Sequence, residues 1–79
     1  MKRTLVSQED LLNWLNLKLS EHDWCIDCRF TAVQKLREED EKGCNWSGAN
    51  LKCSGVPAEI CQPIVQQIIT EAEDKFNLI

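Results

Sequence analysis

Trp24-Cys25-Ile26-Asp27-Cys28-Arg29-Phe30-Thr31-Ala32-Val33-Gln34-Lys35-Leu36 is the stretch that decides the fold. Trp24, Ile26, Cys28, Phe30, Ala32 and Leu36 hold its even positions, and Asp27, Arg29, Thr31 and Lys35 hold odd ones. A period of two is what a strand with one buried face requires, because successive side chains point to opposite sides of the sheet. The pattern predicts a strand from Trp24 to Leu36, long enough to bend or break near Thr31 to Val33. Glu38-Glu39-Asp40-Glu41-Lys42-Gly43 follows as a polar connection, with Gly43 placed to take a positive φ where the chain reverses. On the way back Cys44 and Trp46 share one parity, whereas Ala49, Leu51 and Cys53 share the other. An extra residue flips parity, so a β-bulge is expected at Ser47-Gly48, where glycine tolerates the required backbone. Two strands bent in this way can also be counted as three.

Helices flank this hairpin. Ser7-Gln8-Glu9-Asp10 opens the first: Ser7 can accept the Asp10 backbone N–H, and the acids of the first turn suit the positive end of the helix dipole. Val6 and Leu11 fit a hydrophobic staple across that cap. At 100° per residue Leu11, Leu12, Leu15 and Leu19 share the core face, with Trp14 at its edge and Leu17 nearly opposite. A second helix is expected after Ser54-Gly55-Val56-Pro57, with Ile60, Ile64, Ile68, Ala72 and Phe76 recurring every four residues beside Cys61, Val65 and Ile69. Pro63 falls on its outer side, where the missing N–H should kink the helix or restart it after Gln62. These elements define one small α+β domain over residues 1–79, two helices on one face of a small antiparallel sheet, with residues 1–6 flexible or lightly packed.

The order helix, strands, helix also occurs in double-stranded RNA-binding domains, but those need a lysine cluster at the second helix's start. Residues 53–61 here have no basic side chain and include Glu59. The net charge of -4 further opposes a phosphate backbone, so no nucleic acid partner is expected. Met1-Lys2-Arg3-Thr4-Leu5-Val6-Ser7 reaches polar residues at once, with no apolar run for a signal peptide or a membrane span. The expectation is an acidic cytoplasmic protein that does not engage membranes.

The chain has five cysteines and one histidine. In a reducing compartment thiols stay free, which disfavours a disulfide framework. A structural zinc site would recruit Cys25 and Cys28, a C-x-x-C, with Cys44 and either Cys53 or His22. Against it, i and i+3 on an extended strand face opposite ways, sending Cys28 inward and Cys25 outward; the objection fails only if residues 22–28 form a turn. A thiol enzyme using Cys25 with His22 lacks an orienting group and a helix N-terminus behind the cysteine. No catalytic constellation, resident metal or cofactor is implied. The favoured reading is a non-enzymatic protein-interaction module that binds a protein partner or forms a homodimer. Its candidate contacts are Trp14 and Leu17, with Trp46 second, unless the chain termini fold back over the first two and Trp46 closes the core.

Overall fold

The computed structural model describes residues 3–41, 43–55 and 57–79; Met1, Lys2, Lys42 and Val56, which fall in the basic start, the connection and the helix entry, lie outside the described residues. In chain order the elements are β1 (Thr4–Val6), α1 (Gln8–Ser20), a 3₁₀ turn (Asp23–Cys25), β2 (Cys28–Lys35), β3 (Trp46–Cys53), α2 (Ala58–Lys75) and β4 (Phe76–Leu78). They make a mixed α/β unit with principal extents of 36 × 20 × 20 Å.

The hairpin follows the parity reading where parity was informative. β2 and β3 pair antiparallel, with Phe30 opposite Leu51 and Ala32 opposite Asn50, so Thr31 is one residue in excess. Val33 faces Ala49 and Gln34 faces Ser47, which leaves Gly48 as the extra residue of β3, at φ 65°. Both the bend at Thr31 and the bulge at Ser47-Gly48 are therefore present, and the strands number two. Gly43 takes φ 85° in the connection. Along the hairpin the inward residues Cys28, Phe30, Val33 and Trp46 are all buried.

The strand does not reach back to Trp24. Residues 23–25 are helical and β2 starts at Cys28, so Trp24 and Ile26 are 73% and 68% exposed rather than inward. Alternation alone cannot separate a strand from a tight turn that happens to expose every second residue. The antiparallel expectation also covers only half of the sheet structure. A second pair, β1 with β4, runs parallel in the register Thr4 to Phe76 and Val6 to Leu78. Phe76 consequently belongs to a strand and not to α2: its backbone turns extended (φ -128°, ψ 145°) while its N–H still donates to the Ala72 carbonyl. Thr4 and Leu5 stay exposed in β1 and Val6 is half-buried.

Helix α1 starts as read, with Ser7 Oγ accepting the Asp10 N–H at 3.1 Å. Leu11, Leu15 and Leu19 are buried and Leu12 packs partly against them. Each fully buried leucine stabilises the fold by roughly 1.5–3 kcal/mol. Helix α1 lies against β2, α2 lies against β3, and the two helices touch. Helix α2 buries Cys61, Val65, Ile68, Ile69 and Ala72, whereas Ile60 is half-exposed and Ile64 only partly covered. It runs unbroken through Pro63, which is exposed on its outer side, so the expected restart after Gln62 does not occur.

An amide guards the outer edge of β2. Asn16 of α1 donates Nδ2–H to the Phe30 carbonyl (3.1 Å) and accepts the Phe30 N–H on Oδ1 (2.7 Å), taking the place of a neighbouring strand. Satisfying both groups blunts an edge that would otherwise invite another chain.

Candidate functional site

At one end of the molecule four cysteines converge. Two features of the local chain bring Cys25 and Cys28 to the same side. The Cys25 N–H donates to the His22 carbonyl at 3.0 Å, closing the 3₁₀ turn, and Ile26 continues with helical dihedrals (φ -62°, ψ -28°) before β2 begins. A turn near three residues in period returns i+3 to the same face, so Cys25 and Cys28 are 0% and 7% exposed. The geometric objection to their acting together is thereby removed. Opposite Cys28 in the hairpin register stands Cys53, and Cys61 arrives from the first turns of α2.

Cys25 is disulfide-bonded to Cys61 and Cys28 to Cys53, with Cα–Cα separations of 5.8 and 3.9 Å. This overturns the expectation of free thiols and weighs against the cytoplasmic location from which it was drawn, since disulfides persist in oxidising compartments. The bridges span 36 and 25 residues. On the chain-entropy model loops of that length contribute about 3.5 kcal/mol each. The two bridges are neighbours: Cys28 Sγ lies 3.8 Å from Cys61 Sγ, and Cys61 Sγ lies 3.4 Å from the Trp24 carbonyl oxygen. The Ser54 N–H donates to the Asp27 carbonyl at 3.1 Å and ties the loop after Cys53 to the turn before Cys28.

The zinc set of Cys25, Cys28, Cys44 and Cys53 is not assembled. Cys44 precedes β3 at the end where Trp46 stands, and Trp46 to Cys53 extended at 3.3 Å per residue measures roughly 20 Å. Cys44 is the free cysteine among the described residues, buried, with its thiol donating to the Trp46 carbonyl at 3.1 Å. Desolvation by burial chiefly raises its pKa, and Glu73 and Asp40 add to this; hydrogen bonding to the sulfur by the Trp46 backbone and the charge of Arg3 oppose it. Asp40, Cys44 and Glu73 bring their donor atoms within 4.8 Å of one another. Asp40 Oδ1 there accepts the Cys44 N–H at 3.0 Å, and Arg3 Nε–H donates to the Glu73 carbonyl at 2.6 Å. These contacts fix the connection before β3. His22 precedes the 3₁₀ turn and makes no side-chain cap bond there.

A thiol enzyme on Cys25 loses its nucleophile in this state, because that sulfur is bridged and wholly buried. The proposed contact residues separate as well. Trp46 is fully buried, its indole N–H donating to the Phe76 carbonyl at 3.0 Å, so it closes the core and is not displayed. Trp14 is half-covered: Phe76 meets it edge-on with ring centroids 5.2 Å apart, and the Lys18 and Lys75 ammonium groups stand 5.5 and 5.8 Å from its ring. The C-terminal segment has folded back over it. Leu17 remains 62% exposed.

What the sequence reading missed is an apolar tip. Trp24, Ile26 and Ile60 are 73%, 68% and 51% exposed, and each is the immediate chain neighbour of a cysteine in the Cys25–Cys61 bridge. The signal available was Cys61 itself: a cysteine eight residues beyond Cys53, with Ile60 beside it, reads equally well as a helix face or as a bridge partner. Comparison with protein-family models, curated proteins and solved structures finds no match to this chain. Among the described residues, no helix is long and apolar enough to cross a membrane.

Proposed function

We propose that this chain is a non-enzymatic protein-interaction module whose contact surface is the Trp24/Ile26/Ile60 tip. The observation that carries the reading is the exposure of three large apolar side chains on either side of one bridge. A domain this small buries only about 60% of its unfolded surface and gains from every apolar side chain it encloses, so leaving a tryptophan and two isoleucines in water at one end favours a partner. Rigidity supports the same role. The tip is pinned by two covalent bridges, so little backbone freedom remains to be lost on binding, and an exposed tryptophan is a common energetic anchor. The partner is a protein that presents a complementary apolar surface, a second copy of this chain included.

The test is site-specific photocrosslinking in cells, with the photoreactive residue placed at Ile26 or at Gln67 on the exposed side of α2. A discrete adduct from Ile26, lost when Trp24→Glu is added and absent from Gln67, is the expected result. Equal labelling from both positions, or adducts only from Gln67, would remove the tip from the reading.

A further inference from the structure

The cysteine end also has the makings of a metal site, with a different ligand set from the one that spacing suggested. All four sulfurs are linked in one chain of contacts, Cys25 bonded to Cys61, Cys61 at 3.8 Å from Cys28, and Cys28 bonded to Cys53. Zinc held by four thiolates at about 2.3 Å in a tetrahedron has sulfur atoms about 3.8 Å apart along each edge. The Cys28–Cys61 separation already equals that edge. Once the two bridges open, the remaining sulfurs have only to part to the same spacing, because their Cα atoms, paired 5.8 and 3.9 Å apart, come together from four elements, the 3₁₀ turn, β2, β3 and α2. The C-x-x-C sits on a tight turn, as zinc ligand pairs commonly do, and Cys61 occupies the first turns of the 18-residue helix α2, whose N-terminus favours a thiolate. Cys25, Cys28 and Cys61 are shielded from solvent, and Cys53 is half-buried.

We propose that the reduced chain binds one Zn²⁺ through Cys25, Cys28, Cys53 and Cys61, so that metal replaces the two disulfides as the clamp that holds the tip. The balance is simple. With a phosphine as reductant, each disulfide accepts two electrons, the phosphorus takes the oxygen of a water molecule, and the water's two hydrogens end on the freed sulfurs. Zinc then displaces four protons to solvent and leaves a tetrathiolate complex. Four soft sulfur ligands in a tetrahedron select zinc over the oxygen-seeking cations, and a single ion suits sulfurs this close better than a multi-iron cluster. Cys44 has no part in it, and the interaction reading does not depend on it.

The experiment uses the full chain, reduced with a phosphine under argon and titrated first with Co²⁺ and then with Zn²⁺. The expected result is tetrahedral cobalt–thiolate absorption that saturates at one ion per chain, bleached by one equivalent of zinc. Native mass spectrometry should show one zinc per chain, and the melting temperature of the reduced protein should rise on adding zinc. Cys44→Ser should leave all of this unchanged, whereas Cys61→Ser and Cys28→Ser should each lose the stoichiometric binding. Absence of the cobalt spectrum in reduced wild-type protein overturns the proposal without recourse to any variant. Undiminished binding in Cys61→Ser, loss of binding in Cys44→Ser, or coordination of iron in preference to zinc overturns it equally.

Discussion

The two ends of this 36 Å molecule are fastened by different chemistry. At the tip, sulfur joins the 3₁₀ turn, the hairpin and α2 covalently. At the opposite end amides do the joining. Asn45 donates Nδ2–H to the Leu78 carbonyl and accepts the Leu78 N–H, both at 2.7 Å, so its side chain stands in for a strand along β4. Asn77 Oδ1 accepts the Asn45 N–H at 3.2 Å, Asn77 Nδ2–H reaches the Gly43 carbonyl at 3.0 Å, and the Trp46 indole holds the Phe76 carbonyl. A bridge acts mainly by restricting the unfolded chain, and its contribution vanishes with reductant. A bidentate amide acts in the folded state and is indifferent to redox conditions, but removing it orphans two backbone groups at once. Stability at the tip is therefore conditional on the environment, whereas at the amide end it is intrinsic to the sequence.

The sharpest way to break this contrast is reduction with a metal chelator present. Losing both bridges should cost about 7 kcal/mol on the chain-entropy model. A domain of this length is expected to have roughly 4–12 kcal/mol in total. A collapse of the urea midpoint is expected, and a small change would mean that the tip does not depend on sulfur. Next, Asn45→Ala should cost about 2–4 kcal/mol, because the Leu78 N–H and carbonyl lose their partner, and it should do so equally with and without reductant. If its effect disappears on reduction, the two ends are coupled and the contrast fails. Trp46→Phe, which keeps the ring and deletes the bond to Phe76, should cost about 1–2 kcal/mol in the same unfolding assay.

Between the ends, Gly48→Ala tests the bulge alone. An added Cβ meets no atom within 4 Å, so only the φ of 65° penalises it, by about 1 kcal/mol. The smallest effect is expected from Cys44. Its folded-state pKa is raised, so its contribution is complete below the unfolded value near pH 8.5 and is lost as pH climbs through the folded one. Urea midpoints should fall modestly above about pH 8.5 in wild type and less in Cys44→Ala; an identical decline in both would assign the alkaline loss elsewhere.

Much of the hairpin and of α1 is legible from residues alone. A parity flip placed the Ser47-Gly48 bulge, the length of the strand placed the bend near Thr31, and Ser7 placed a helix start, because each rule acts over a short stretch of chain. The same rule misread Trp24 and Ile26. There the chain forms a 3₁₀ turn that buries Cys25 against Cys61 and leaves Trp24 and Ile26 exposed on either side of it. Of the site, the C-x-x-C and Cys53 were visible as candidate ligands, whereas Cys61 was read only as part of the α2 face. Cys44 and Cys61 are interchangeable on spacing, and only the packing of α2 against the turn separates them.

The sequence by itself determined the order of the main elements, the leucine face of α1, the apolar wall of α2 and the two irregularities of the hairpin, all encoded in periods and caps shorter than a dozen residues. Tertiary structure alone decided which cysteines meet, that the chain ends pair as parallel strands, and which aromatic is covered. Three-residue strands such as β1 and β4 have too few backbone bonds to form by themselves. They exist because the neighbours Asn45 and Trp46 are brought together with Asn77, more than 30 residues further along the chain, by the core between them.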